Sequence, residues 1–334
     1  MKFIANVFAE LIRGAALLLA AGSALFALAA QGGRFSDRLD ALTHAAPILV
    51  AGGLFALVGW AVSGRTGRTI PALAIVAGLS AFSLMAPELL AAATQKRVAA
   101  SDRTLKVLQF NIWYLNKDVA GTVAWIEQED PDIIVIEEGY ARSGGTARAL
   151  RGRYPHVTTC DDPRPCSTMI LSKIAPTAEG GLATRGSQSW LSGAWATYPG
   201  NGRPFTVIGV HYTWPWPAGP QQQQTLRLNN VVQGFPKEDL IVAGDFNSTP
   251  WSFSLKKQDR LFGLERRTRG VFSWPAGYVS ERLGIKAPFP VLAIDQVYAG
   301  SAWRTVSVRR GPKLGSDHYP VVVELARADA LAGR

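Results

Sequence analysis

Cysteine and histidine are scarce in this chain, two and four among 334 residues. Neither occurs in a closely spaced Cys-x-x-Cys or His-Glu-x-x-His set, which argues against a zinc centre. No internal repeat stands out, and the one biased run is Gln221 to Gln224. Charge is missing from three long stretches: Gly14 to Gly33, Ala41 to Gly64 and Thr69 to Pro87 contain no Asp, Glu, Lys or Arg. Each is long enough to cross the roughly 30 Å of bilayer hydrocarbon. These absences predict a membrane anchor over residues 1–95, with spans near 14–33, 41–64 and 69–91, then a polar linker over 96–104. One large domain over 105–326 and a tail over 327–334 complete the chain. Ala27 to Ala30 look like signal-peptide cleavage chemistry, but Glu10 spoils a basic leader and two further spans follow.

Short polar side chains stand where apolar strands end. Ile241-Val242-Ala243 runs into Gly244-Asp245-Phe246-Asn247, and Ser316-Asp317-His318 precedes an apolar strand from Tyr319 to Leu325. Three further pieces fit the same order: Asn111 after a strand from Leu105 to Phe110, Glu138 after one from Asp132 to Ile136, and Asp295 within Ile294-Asp295-Gln296-Val297. Singly, such residues read as turn chemistry, because Asp and Asn bond their own backbone. Together they supply metal ligands, a proton carrier and a phosphate donor, the requirements of a metal-dependent phosphoesterase.

On these motifs the segment from Leu105 to Ala326 resembles the endonuclease/exonuclease/phosphatase superfamily, which includes deoxyribonuclease I-like nucleases, exonuclease III-like enzymes, sphingomyelinases and inositol polyphosphate 5-phosphatases. The resemblance implies an α/β four-layer sandwich, two mixed β-sheets flanked by helices, here preceded by an N-terminal bundle of about three transmembrane helices. It further implies metal binding by Glu138, Asn111 and Asp317, and catalysis by Asp245, Asn247, His211, His318 and Asp295. Glu137 precedes the ligand Glu138, and strand alternation points it to the opposite face. Trp113 stands where some nuclease branches carry Asp, which argues against abasic-site repair.

A phosphoester repels nucleophiles, so a hard cation on oxygen ligands is required; magnesium is the first expectation and manganese the alternative. Asp245, with Asn247 beside it, would orient and deprotonate water. His318, held by Asp295, would donate to the phosphoryl group, with His211 a second donor or else a core histidine. Trp214 and Trp216, separated by Pro215, form a stiff aromatic wall for bases or a membrane interface, or else pack against the sandwich, and Arg227 is a candidate phosphate contact or a surface residue. Arg266, Arg267 and Arg269 would line a phosphate groove or form a solvated loop, and Asn116 reads as a helix cap for the stretch Val119 to Ile126 or else reaches toward the metal.

From Thr104 onward the chain carries 26 Lys plus Arg against 20 Asp plus Glu, net +6, a balance that suits anionic substrates or simply solubility. A nuclease-type phosphodiesterase is expected, with a phospholipid or phosphoinositide headgroup phosphodiesterase as the alternative and a silent membrane-tethered binding module as a third reading. The expected partners are the phosphoester substrate and the lipid bilayer. Lys2, Arg13, Arg65 and Arg68 lean toward a cytoplasmic N-terminus, and three spans would then place the catalytic domain on the periplasmic, extracytoplasmic side of an inner (plasma) membrane. Cys160 and Cys166 could close a small disulfide there or stay free.

Overall fold

In a computed structural model the described residues are 2–100, 104–140, 144–160, 167–182, 191–200, 202–280 and 284–328. Cys166, residues 101–103 of the expected linker and 329–334 of the expected tail lie outside them. The chain divides into two packed units: residues 1–93 with 216–218 and 249–256, and the remainder.

In the first unit the apolar runs form α1 (Lys2–Gln31), α3 (Ala46–Val62) and α4 (Thr69–Ala93), with a one-turn α2 (Asp37–Asp40) in the first connection. The helical stretches 2–34, 37–62 (α2 through α3) and 69–93 are each long and apolar enough to cross a membrane, with mean hydropathy 1.9 to 2.0. Helix α1 starts well before residue 14, where Glu10 pairs with Arg13 one turn on. Helix α3 starts later than residue 41, with Pro47 in its first turn, where a missing N–H costs nothing. Small residues fill the helix contacts: Ala16, Ala20, Ala56 and Ala74 are buried. A side chain on Gly52 would meet Ser23 Oγ at 2.3 Å, so the backbones approach closely there. Large residues such as Leu18, Phe55 and Leu79 point outward.

Segment 249–256 packs within this unit. The Asp40 carboxylate accepts from Phe253 N (2.7 Å) and Ser254 N (2.8 Å), capping the first turn of α8 (Phe253–Phe262). Trp251 Nε1 donates to Thr43 O, and His44 Nδ1 bonds Thr249 Oγ1.

The second unit is a sandwich of two mixed sheets. The first contains β1 (Thr104–Asn111), β2 (Ile133–Glu137), β3 (His156–Thr159), β4 (Thr168–Ser172), β13 (Trp303–Arg310) and β14 (Val321–Arg327), in the order β13-β14-β1-β2-β4-β3. The second contains β5 (Ala178–Gly181), β6 (Ser192–Tyr198), β7 (Phe205–His211), β8 (Leu240–Asp245), β9 (Glu265–Arg266) and β12 (Asp295–Ala299), in the order β5-β6-β7-β8-β12-β9. A small hairpin joins β10 (Tyr278–Ser280) and β11 (Ile285–Lys286).

Strand alternation builds the layers. Leu105 and Val107 of β1 and Ile133 and Val135 of β2 meet Val207, Ile241 and Val297 between the sheets. Their neighbours Leu108, Phe110, Ile134 and Ile136 face outward onto Ile126 of α5 (Val119–Glu129) and Leu150 of α6 (Gly144–Leu150). Helix α7 (Pro220–Gln233) completes the set. The cap of α5 is Asp118, which accepts from Gly121 N. Asn116, expected in that role, instead accepts from Asp118 N and donates to Leu314 O, tying two loops together.

Candidate active site

Strand register brings the polar strand ends into two facing rows. In one sheet Ser192, His211, Asp245 and Asp295 are successive cross-strand partners on β6, β7, β8 and β12. In the other, Asn111, Glu137 and Thr168 are partners on β1, β2 and β4. Gly244, just before Asp245, admits the close approach of β7, since a Cβ there would lie 1.9 Å from Val210 O.

The rows meet around Asp245. Asn111 Nδ2 donates to Glu138 Oε1 (3.1 Å) and to Asp245 Oδ2 (3.0 Å), bridging the two carboxylates. Asn247 N donates to Asp245 Oδ1 at 2.8 Å, while Asn247 Nδ2 bonds Tyr212 O. His211 Nε2 and His318 Nε2 each lie 3.7 Å from Asp245 Oδ2. His318 Nδ1 bonds Asp295 Oδ2 at 2.8 Å. Ser316 Oγ donates to Asn111 O and accepts from His318 N, which locks the Ser-Asp-His turn onto the end of β1.

Backbone strain concentrates here: Trp113, Glu138 and Asn247 have φ of 57°, 55° and 46°. Asn tolerates the left-handed region, but Trp and Glu do so at a cost of about 1–3 kcal/mol. At Glu138 the twist takes the side chain out of the strand's alternation, where it accepts from Asn111 Nδ2 and Tyr114 N.

The charges are crowded and nearly dry. Burial pushes the Asp245 carboxyl up to about 7, against the opposing pull of His318. Burial alone would lower His318, but Asp295 and Asp245 overcome it and hold the imidazolium well above its ordinary value. His211 is lowered by burial, and Asp317 is raised by it. Asp317 Oδ1 is buried without a hydrogen-bond partner, although Asp317 Oδ2 accepts from Trp274 Nε1 at 3.4 Å. Crowded carboxylates and an orphaned oxygen fit a cation. Asp245, Asp295 and His318 also offer ligand atoms within 4.8 Å of one another. Of these, Asp295 Oδ2 is already committed to His318 Nδ1.

Trp214 is exposed and stands edge-on to Trp274, with ring centroids 6.1 Å apart. Trp216 is exposed too and falls in the first unit. Arg227 lies on α7. Arg266 and Arg267 are buried rather than lining a groove: Arg266 pairs with Asp259, and Arg267 donates to the carbonyls of Ala299, Gly300 and Trp303.

Several contributors escaped the sequence reading. Gln221 Nε2 donates to Thr213 O and Phe246 O, and Gln224 Oε1 accepts from Thr213 N, so the glutamine run ties the loops after β7 and β8 together. Ser167 Oγ bonds His211 Nδ1 and Ser192 Oγ. Gln109 lies buried behind Asp295, against Glu137, which the sequence reading places on the face opposite Glu138. Only the position of Gln109, polar on the inner face of an apolar strand, was a signal in the sequence. Tyr114 and Tyr140 stack beside Glu138, with ring centroids 5.8 Å apart.

A two-sheet sandwich with histidines and carboxylates at its facing strand ends defines a phosphoester hydrolase. The model of the endonuclease/exonuclease/phosphatase family matches residues 108–318, and the chain belongs to that family. It is accordingly a metal-dependent hydrolase of phosphoric esters. No curated protein matches the chain. Among solved structures it is similar to D. rerio TDP2 complexed with a single-strand DNA product, at 14% identity and TM-score 0.56, covering 67% of this chain and 100% of that one. A beta toxin mutant from Staphylococcus aureus with bound magnesium ions matches at 14% identity and TM-score 0.51, covering 66% and 98%. An endonuclease/exonuclease/phosphatase from Beutenbergia cavernae matches at 21% identity and TM-score 0.51, covering 67% and 72%. At these identities the likeness concerns the fold.

Proposed function

We propose that the chain is a membrane-anchored phosphodiesterase of nuclease type, using magnesium, with manganese as the alternative. The observation that carries this reading is the bonded set Asn111–Glu138–Asp245–Asn247 facing both histidines, with His318 backed by Asp295. Glu138, Asn111 and Asp317 would hold the cation, which would neutralise phosphoryl oxygens and steady the leaving oxygen. Asp245, raised by its surroundings, orients the attacking water and takes its proton. His318, charged near neutral pH, donates to a non-bridging oxygen, and Asp295 fixes its ring. His211, lowered by burial, is the second donor. Trp214 offers a stacking face, and Arg227 is a further substrate contact.

A headgroup phosphodiesterase is the second reading, favoured by the three apolar helices, which would hold the enzyme at a bilayer. The similar TDP2 structure holds a single-strand DNA product, which agrees with the nuclease reading. The deciding assay uses the full chain in detergent, with magnesium or chelator, against single- and double-stranded DNA, RNA, sphingomyelin and phosphoinositides. Metal-dependent cleavage of nucleic acid supports the nuclease; cleavage confined to lipid moves the reading to headgroups, and no turnover by a folded chain overturns both.

We place the protein in the plasma membrane as a multi-pass protein, with the catalytic domain on the extracytoplasmic side. A disulfide between Cys160 and Cys166 would suit such an oxidising compartment. A C-terminal alkaline phosphatase fusion should be active in a bacterial host; an inactive fusion beside a fluorescent cytoplasmic reporter reverses the orientation.

A further inference from the structure

The inner face of β1 reads Leu105, Val107, Gln109, Asn111. Leu105 and Val107 join the apolar core between the sheets. Gln109 occupies the same interior and is fully buried, an environment where an amide is unfavourable unless its donors are matched. Both amide hydrogens are used: Gln109 Nε2 donates to Glu137 Oε2 and to Asp295 Oδ1, each at 2.8 Å. Glu137, one strand over on β2, is also fully buried.

Asp295 therefore has one oxygen bonded to His318 Nδ1 and the other to Gln109. A carboxylate with a single anchor turns about its Cβ–Cγ bond, whereas two anchors fix its plane and hence the ring it orients. Gln109 cannot swing away, because Glu137 accepts its second hydrogen. The bridge also crosses from one sheet to the other directly behind the site, so the alignment of the sheets reaches His318 through one amide.

We propose that Gln109 is a positioning residue of the reaction, setting the orientation of His318 through Asp295, with Glu137 as its brace. This rests on the phosphodiesterase reading of the same site. The test compares Gln109→Leu with the double variant Gln109→Leu/Glu137→Met, which removes the carboxyl stranded by the first change. Full chains in detergent are assayed with bis(4-nitrophenyl) phosphate and magnesium.

Loss of such an outer partner should lower kcat by about 10- to 100-fold with KM little changed. In the double variant the melting temperature should recover while kcat stays low. Recovery of kcat together with stability would reduce Gln109 to a packing role and overturn the proposal. A second readout needs no turnover: the far-downfield proton resonance of the Asp295–His318 bond, assigned by its loss in His318→Ala. It should weaken or move upfield in both Gln109 variants. An unmoved resonance overturns the proposal even if the parent hydrolyses nothing, while an inactive parent whose resonance moves overturns only the functional reading.

Discussion

The two units bury opposite things. In the helical unit, Ala16, Ala20, Ala56 and Ala74 lie inside, and Leu18, Phe55 and Leu79 face out. In the sandwich, Val107, Ile133, Val207 and Ile241 fill the interior, and polar side chains gather at the strand ends. In lipid, large apolar residues gain nothing by hiding, so close backbone approach through small residues holds helices together. In water, burial of apolar area is the main driving force, and it can outweigh a few dry, crowded charges. The sandwich concentrates those charges at one corner, so the two units should fail in different ways when perturbed.

The largest effect belongs to that corner. Asp245→Asn and His318→Ala should each lower hydrolysis by about 10³-fold or more while the circular dichroism spectrum stays that of the parent. Activity within tenfold of the parent in either variant would remove that residue from the mechanism. Chelation should abolish turnover reversibly. Magnesium at a hundred times its dissociation constant should stabilise the folded chain by about 2.7 kcal/mol, readable as a rise in melting temperature.

Without metal, pH should act on the sandwich through its raised groups. Asp245 favours its neutral form when folded, so the stability it contributes is full below about 4, its unfolded range, and fades as pH rises toward about 7. His318 acts in the same sense, contributing below its ordinary value and losing that contribution as pH climbs through its raised one. His211, lowered by burial, opposes them at acid pH. Asp245→Asn should flatten the metal-free decline between pH 5 and 8 in a thermal-melt series, and an unchanged slope would assign the decline to other groups.

Smaller effects test the helical unit. Gly52→Val should overpack its contact with Ser23 by about 1–3 kcal/mol, seen as faster proteolysis of residues 1–93. Asp40→Ala removes two acceptors from the first turn of α8 and should cost about 1 kcal/mol. Asp40→Asn, which keeps one acceptor, should cost less.

Much of this was legible in the linear chain, and the misses have physical causes. The three apolar runs are local signals of length and composition, so they became helices with only their ends moved. At those ends a pair such as Glu10 and Arg13, or Pro47 in a first turn, sets the boundary, and hydropathy does not register either. Asp245, Asn111, His318 and Glu138 stood out because short polar residues at strand ends are visible without a partner. Asp118 took the cap expected of Asn116 because it directly precedes the helix, while Asn116 found a carbonyl 198 residues away at Leu314. Arg266 and Arg267 looked like a groove or a solvated loop, yet Arg266 is buried beside Asp259 of α8 and Arg267 against carbonyls 32 to 36 residues further along the chain.

The sequence by itself determined the inventory: three membrane-length helices, an alternating strand core, and the acids, amides and histidines of a phosphoester hydrolase. Those depend on periodicity and residue chemistry, which a chain carries locally. Tertiary structure decided the register that lines up His211, Asp245 and Asp295, and the strained turn that swings Glu138 away from Glu137. It alone set the buried amide of Gln109 between two acids on different sheets. Hydrogen bonds of that kind join residues far apart in sequence, and only the packing of one sheet on the other brings their atoms within reach.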